Sequence, residues 1–232
     1  CPEYFYDDIE IGSIYGTFPQ SLWNGGRLMA GICDRSYVRT VVKTFNDMGI
    51  PLRFTFSNPV IMEHDLKDDF CNFILRTAHN GMNGVIVVSP ILEQYIRENY
   101  PKYKITSSTC KRITDINKLN EESDKDYDIV VLDYDFNNKF DLLEQVKNKE
   151  KCEILINACC QPNCPNRVKH YNDIGRTQKA LCEHIRKKPN KPFRASDYGI
   201  DDEYIQKCPY MYYDAVDVRQ HSTHITPVSY TH

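Results

Sequence analysis

The sequence predicts an α/β fold and, within that class, a TIM-like (β/α) barrel. Short segments rich in β-branched and aromatic residues alternate along the chain with segments of helical periodicity. The strand-like segments are apolar on both faces, which is typical of a parallel sheet covered by helices. No G-x-G-x-x-G motif follows any of them, which disfavours a dinucleotide-binding sheet. We therefore expect a barrel rather than an open, doubly wound sheet.

Five segments are predicted to be buried strands because each is a short apolar run, mostly bounded by turn residues. A first strand is expected within 3–16 and a last one near 219–227, before a final unit that we expect to be missing. The prediction is therefore one domain over 1–232, a barrel incomplete at its C-terminal end. The five central strands are predicted at 52–58, 84–90, 103–109, 127–135 and 152–158.

Four helices are predicted between these strands. Over 36–49 four apolar residues recur at helical spacing, and Gly49 suits a C-terminal cap. Over 89–101, Ser89 is a possible N-cap and Pro90 suits the first helical position. The other two helices are predicted at 65–81, which opens with acidic residues and ends in glycine, and at 139–151.

Two further segments lack a clear period. The charged segment 114–126 is predicted to be a solvated helix or loop. From Lys187 onward the chain becomes polar and rich in proline, which predicts a long excursion from the barrel. Long loops in compact domains are often functional, so this excursion is of interest.

The composition predicts a globular protein without a membrane span. Of the 232 residues 41% are hydrophobic and 26% charged, and no apolar run approaches the roughly 18 residues of a membrane helix. The formal net charge of −3 argues against a broad nucleic-acid footprint. Ten cysteines in a chain with ample core material indicate a reducing compartment rather than a small disulfide scaffold, so a cytoplasmic location is expected.

Polar residues follow the predicted strands at the end where barrel enzymes carry their chemistry. Candidate substrate-binding residues are Asn58, Ser89, Ser108 and Asn157, and Asp133 is a candidate catalytic residue. Small polar residues also cap helices and form turns, so a capping role is the alternative for each of them.

The segment "NACCQPNCPNRVKHY" (157–171) is the most distinctive part of the sequence. A soft metal or an iron-sulfur cluster needs thiolates that can converge. A strand end followed by a proline-kinked loop can supply such thiolates. Four thiolates can be assembled within a cysteine-rich segment, 159–208, that we predict to be a cluster-binding excursion. Zinc and purely structural or redox thiols are the alternatives. The predicted ligands are Cys160, Cys164, Cys182 and Cys208.

Two residues just after the paired cysteines are candidate catalytic groups. Arg167 could hold an anionic substrate with its bidentate guanidinium, and His170 could transfer protons near neutral pH. The structural alternatives are that Arg167 caps a helix end and that His170 is a surface residue.

The segment 157–171 resembles the collagenase-like peptidase family (peptidase family U-32), in variants that read N-x-x-C-x-P-x-C-P-x-R-x-x-H. The stretches "FPQSLWNGGR" (18–27), "LRFTFSN" (52–58), "NGVIVVSP" (83–90) and "KITSSTCK" (104–111) agree with this resemblance. Better-studied members carry E-x-F-x-x-G-[AS]-x-C-x₄-G-x-C. Glu153 and Leu155 fit that form, but its glycines are missing here and the two cysteines lie closer together.

The resemblance implies a TIM-like barrel in which Cys160, Cys164, Cys182 and Cys208 hold a [4Fe-4S] cluster. It also implies a part in oxygen-independent or prephenate-dependent hydroxylation of a small molecule, such as a ubiquinone precursor, or of an RNA base. A partner protein of the same family is implied as well. Peptidase activity, which the family label suggests, and a purely structural metal site are the alternatives.

Overall fold

The computed structural model describes residues 11–155, 160–201 and 230–231. In this part of the chain six parallel strands pair in the order of the sequence, and a short seventh strand runs antiparallel beside the sixth. This confirms the predicted α/β class with a parallel sheet. The strands are β1 (Ile14–Gly16), β2 (Leu52–Phe56), β3 (Gly84–Val87), β4 (Lys104–Ser107), β5 (Ile129–Val131), β6 (Cys152–Leu155) and β7 (Tyr230–Thr231).

A helix follows each of the six parallel strands, and the main apolar core includes side chains from both the sheet and the helices. Buried aromatic residues such as Trp23 and Phe56 contribute to this core and contact each other edge to face. None of the helices in the described residues is both long enough and apolar enough to cross a membrane. The helices are α1 (Arg35–Asp47), α2 (Asp69–Ala78), α3 (Pro90–Asn99), α4 (Ile116–Ser123), α5 (Phe140–Leu143) and α6 (Arg167–Lys187).

An ion pair across the concave face shows how strongly the sheet curves. Arg53 on β2 and Glu153 on β6 lie 2.7 Å apart, with side chains at most 7% exposed. Four strand spacings separate β2 from β6, which in a flat sheet is about 19 Å. Two side chains can bridge that separation only if the sheet bends towards itself. The six strands therefore form a half-barrel, consistent with an incomplete TIM-like barrel.

The caps of two predicted helices are confirmed. Ser89 accepts a hydrogen bond from the Leu92 N–H and Pro90 is the first residue of α3. Gly49 follows the end of α1 with φ +74°, a left-handed conformation that glycine adopts without steric cost. These local signals depend only on neighbouring residues, so sequence is sufficient to find them.

Three element predictions need correction. The predicted helix 139–151 is reduced to the single turn α5, followed by a 3-10 turn, and 65–81 is a 3-10 turn followed by the shorter α2. Much of the cysteine-rich segment predicted as an excursion is the 21-residue helix α6, so no separate cluster-binding excursion is observed in the described residues. The strand predicted near 219–227 lies outside the described residues.

The loop after β1 packs directly on the end of β2. A side chain on Gly25 would place its Cβ 2.2 Å from the Ser57 carbonyl oxygen, so only glycine fits there. The Asn58 N–H donates to the Trp23 carbonyl at 3.0 Å and joins the two segments. The two glycines of "WNGGR" therefore have at least one structural role, and Trp23 is a core residue, as the sequence favoured.

A buried charged network ties α4 to β4. Glu122 accepts hydrogen bonds from Ser107 at 2.6 Å and from Lys111 at 2.7 Å, and also pairs with Lys125. Its side chain is 6% exposed, so the predicted solvated segment 114–126 in fact contributes a buried carboxylate. Burial alone would raise the pKa of Glu122, but these three donors hold it at about 2, against an ordinary value of 4.5.

We expect Glu122 to make stability depend on pH. A depressed folded-state pKa adds stability above the ordinary pKa, and this is lost as the pH falls from about 4.5 towards 2. The free energy of unfolding, measured by urea titration at about pH 6 and about pH 3, should fall more in the wild type than in E122Q. The expected difference is on the order of 2 kcal/mol. Equal falls in both proteins would contradict this assignment.

Candidate functional site

Helix α6 lies across the carboxyl ends of the strands, where a barrel enzyme has its site. Near its middle, the Gly175 carbonyl accepts a hydrogen bond from Asn58 Nδ2 at 3.1 Å, at the end of β2. Further along, Gln178 Nε2 donates to the Ser21 carbonyl at 3.1 Å. At the start of the helix Arg167 binds residues that follow β5. Buried residues recur every three or four positions along α6, at 167, 171, 175, 178 and 182, so one face of α6 covers this end of the sheet.

Four charged side chains form a cluster at the end of β5, which we call the clamp: Arg112, Asp133, Asp135 and Arg167. Arg112 Nη1 donates to both Asp133 oxygens, at 2.8 and 2.7 Å, and to Asp135 Oδ2 at 2.8 Å. Arg167 Nη1 lies 3.2 Å from Asp133 Oδ1 and 3.1 Å from Asp135 Oδ2. The clamp thus balances two carboxylates with two guanidinium groups.

Because the clamp is buried, the loss of any one of its members would leave unbalanced charge in the protein interior. The side chains of Arg167 and Asp133 are fully buried, and that of Asp135 is 3% exposed. Burial raises the pKa of Asp133 above its ordinary value. Burial also acts to raise the pKa of Asp135, but the Asn163 N–H and the two guanidinium groups hold it at about 2. Asp135 is therefore the carboxylate that stays ionised to the lower pH.

Two tyrosines connect the clamp to two cysteines. The Tyr134 ring lies under the Arg167 guanidinium, 4.1 Å from ring centre to Cζ, and the Tyr134 and Tyr171 hydroxyls are 3.0 Å apart. Tyr134 also lies near the thiol of Cys160, and Tyr171 near that of Cys110. Burial raises the pKa of both tyrosines, so their hydroxyls stay protonated and can donate.

The segment Cys160–Asn166, which we call the thiol loop, enters α6 beside the clamp. Its two cysteines are both partly exposed. The Asn163 N–H donates to Asp135 Oδ1 at 2.8 Å, and Arg167 Nη2 donates to the Gln161 carbonyl. The thiol loop is therefore attached to the clamp on both sides.

Comparison with known proteins bears on the identity of this arrangement. No family model matches the chain. An uncharacterized protease of Methanocaldococcus jannaschii is 24% identical over 142 residues, which cover 60% of this chain and 38% of that protein. The structure of the U32 peptidase Mk0906 superposes with a TM-score of 0.52 at 14% identity, over 82% of this chain and 87% of that one.

In fold the chain is U32 peptidase-like. The likeness to the solved peptidase concerns the fold, because 14% identity is too low to carry residue roles. The chain also spans well under half the length of the curated relative that it matches. Activity therefore has to be argued from the residues at the site of this U32-like half-barrel.

The predicted cluster ligands of this U32-like chain are only partly brought together. Cys160 and Cys164 lie four residues apart in the thiol loop. Cys182 lies about four helical turns beyond Arg167, roughly 22 Å along α6, where it is 1% exposed and contacts Gln178. A Zn–S bond is about 2.3 Å, so thiolates that share a small centre must lie within a few ångströms. Cys182 does not fit that set here, and Cys208 lies outside the described residues.

The described ranges do not bring a complete set of metal ligands together. In the ranges 11–155 and 160–201, no group of three or more His, Cys, Asp or Glu side chains could hold a metal ion. A complete ligand set would need donors from elsewhere in the chain, and ligation by Cys160, Cys164 and Cys208 stays a prediction.

The candidate substrate-binding residues have structural contacts. The Asn58 side chain donates to two carbonyls, Ser89 caps α3, and Ser108 accepts from the Cys110 N–H. These are the capping and packing roles named as alternatives, and substrate contact by these residues stays a prediction. Asn157 lies outside the described residues.

The three candidate catalytic residues have different surroundings. Asp133 and Arg167 meet in the clamp, whereas the partly buried His170 faces the Tyr171 ring, with centroids 6.4 Å apart. Burial lowers the pKa of His170, so the neutral imidazole predominates at neutral pH. The Arg167 fork is already bound by two carboxylates and a carbonyl, so an anionic substrate would have to displace one of them.

Sequence reasoning missed Arg112 as part of the site. Arg112 has a left-handed backbone, φ 58° and ψ 46°, which is uncommon for a residue with a side chain and is a reason to examine function. No sequence signal marks such a residue. Tyr134 could have been found, because it lies between Asp133 and Asp135 in the D-Y-D run at the end of a predicted strand.

Proposed function

We propose that this chain holds a thiolate-ligated metal centre at the thiol loop, a [4Fe-4S] cluster with zinc as the alternative. We further propose that it acts in oxygen-independent hydroxylation, or a related redox modification, of a small molecule or an RNA base. The observation that supports the centre is the pair Cys160 and Cys164, partly exposed at the carboxyl end of the half-barrel. Cys208 is a predicted further ligand, and the reaction class is the one that the sequence resemblance of 157–171 implies.

The other described cysteines near the site suit this role less well. Metal ligands must be thiolates, and burial in apolar surroundings opposes ionisation. Burial raises the pKa of Cys110 and Cys182 to about 11 and raises that of Cys71 well above its ordinary value. These thiols remain protonated at neutral pH. The thiol loop is thus the better place for metal ligation.

The surroundings of the thiol loop suit a negatively charged centre. Arg167 is a cation beside Cys160, and a nearby cation stabilises a thiolate. The Tyr134 hydroxyl is within hydrogen-bonding reach of the same thiol. When bound, an iron-sulfur cluster supplies electron transfer, tuned by hydrogen bonds to sulfur and by solvent exposure. Here the chain's own contribution is to orient the thiols and limit their exposure to solvent.

Anaerobic reconstitution of the full chain tests the centre. We expect iron, sulfide and a visible absorption band in the wild type, and their loss in C160S and in C164S. The matched control C182A should retain the cluster, because Cys182 lies far along α6 and contacts Gln178. Iron and sulfide retained in C164S would refute the proposal, and zinc bound in place of iron would establish the alternative metal.

Peptidase activity stays the alternative reaction, because the similar proteins bear the names protease and U32 peptidase. Incubation of the reconstituted wild type and C164S with a fluorescent casein distinguishes the two. Hydrolysis that is equal in both proteins would favour a peptidase that does not need the thiol loop. We expect no hydrolysis by either protein.

A further inference from the structure

The clamp holds the thiol loop at two residues that lie between its cysteines, each of them next to one cysteine. Arg167 Nη2 donates to the carbonyl of Gln161, the residue after Cys160. Asp135 Oδ1 accepts the N–H of Asn163, the residue before Cys164, at 2.8 Å. Each cysteine therefore has a chain neighbour whose backbone is fixed by a buried charge.

Backbone conformation in the thiol loop supports the same conclusion. Asn163 has φ 53°, in the left-handed region, which asparagine adopts more readily than most other residues with a side chain. The turn at Asn163 is therefore compatible with its sequence and needs a contact to fix it. The hydrogen bond from the Asn163 N–H to a buried, ionised carboxylate is such a constraint. Asp135 thus stabilises a turn that directs the chain towards Cys164.

The contact on the other side acts on the first cysteine. The Tyr134 ring packs against the Arg167 guanidinium, and its hydroxyl lies near the Cys160 thiol. Tyr134 lies between Asp133 and Asp135 in the chain, so the same few residues after β5 contact both the backbone of the thiol loop and one of its thiols. This arrangement couples the end of β5 to the geometry of the cysteine pair.

We propose that Asp135 and Arg167 are positioning residues that pre-organise Cys160 and Cys164 for metal binding. The inference rests on the proposed function, because it assigns the support of that same centre. Groups that orient metal ligands without touching the metal typically account for about 10–100-fold in metal affinity. A free loop would instead lose conformational entropy when the two thiolates converge.

Cobalt(II) titration of the full, reduced chain tests the inference, since cobalt–thiolate bonds give a charge-transfer band that reports ligation directly. We expect D135N and R167K to bind cobalt about 10–100-fold more weakly than the wild type and with a weaker band. Lysine keeps the positive charge but lacks the planar fork, so R167K separates positioning from charge. E122Q disturbs a buried ion pair that shares no side chain with the clamp and should change the affinity by less than about twofold.

The outcomes separate this inference from the proposed function. Cobalt binding that C164S abolishes but that D135N and R167K leave unchanged overturns the inference alone. Cobalt binding that C164S also leaves unchanged overturns the proposed function and removes the basis of the inference. All titrations are made where circular dichroism shows each variant folded. A loss of cobalt affinity in D135N and R167K, but not in E122Q, supports positioning rather than general destabilisation.

Discussion

We expect R167M to lower the free energy of unfolding by about 3–5 kcal/mol. The substitution leaves Asp133 and Asp135 buried with Arg112 as their remaining cation, and removing one partner of a buried ion pair leaves an uncompensated charge. The Gln161 carbonyl also loses its hydrogen bond from Arg167. Chemical denaturation followed by circular dichroism measures the change.

A surface pair provides the control for this prediction. Lys43 and Asp47 form an i,i+4 ion pair on α1 with both side chains exposed, and such pairs contribute at most about 0.5 kcal/mol. K43M should therefore change stability little. A loss below about 1 kcal/mol in R167M would show that Arg112 alone compensates both carboxylates.

We expect G175A to destabilise the protein by about 2–3 kcal/mol, although alanine is the better helix former. A Cβ at position 175 would lie 2.3 Å from Asn58 Oδ1 and 3.0 Å from Val60 Cγ2. Asn58 cannot move away easily, because its fully buried amide donates to the Leu22 and Gly175 carbonyls and accepts from the Val60 N–H. The extra methyl group must therefore push α6 away from the carboxyl end of the sheet.

Gly16 offers a matched substitution in open space. A Cβ there would meet nothing within 4 Å, and the backbone is not left-handed. G16A should be neutral or slightly stabilising, since alanine restricts the unfolded chain. Thermal unfolding of both variants measures the contrast. A G175A protein as stable as G16A would mean that α6 does not pack on Asn58 as described.

The strands could be predicted from sequence because their signal is local. The apolar runs around Val85 and Val130 are buried by helices on one face and the half-barrel interior on the other, so their composition alone marks them. Curvature could not be predicted. It depends on contacts such as Arg53 with Glu153, which lie far apart in the chain.

Helix α6 was missed for a different physical reason. Much of its buried face is polar or small, with Arg167, Gly175 and Gln178 against the clamp and the strand ends. Hydrophobic periodicity is therefore weak in a helix that is nonetheless well packed. The glycine in its middle, Gly175, permits close approach to Asn58.

Some members of the candidate site were predictable from sequence, but their pairing was not. Asp133 and Arg167 were each identified, one as a polar strand end and the other within the cysteine motif. Asp133 and Arg167 compensate each other's charge because α6 lies across the sheet. No spacing in the sequence indicates that placement of the helix. The placement of Cys182 far from the thiol loop follows from the same helix.

The position of α6 also has a consequence for how the chain folds. Its contacts with the loop after β1 join residues 157 and 149 positions apart, Gln178 with Ser21 and with Met29. Such distant pairs form slowly, because a long loop must close before any contact is gained. On the ribosome, the parallel strands emerge well before the helix that covers their ends. The nascent half-barrel thus passes through a stage with its carboxyl ends open to solvent, when a metal could enter or a chaperone could bind.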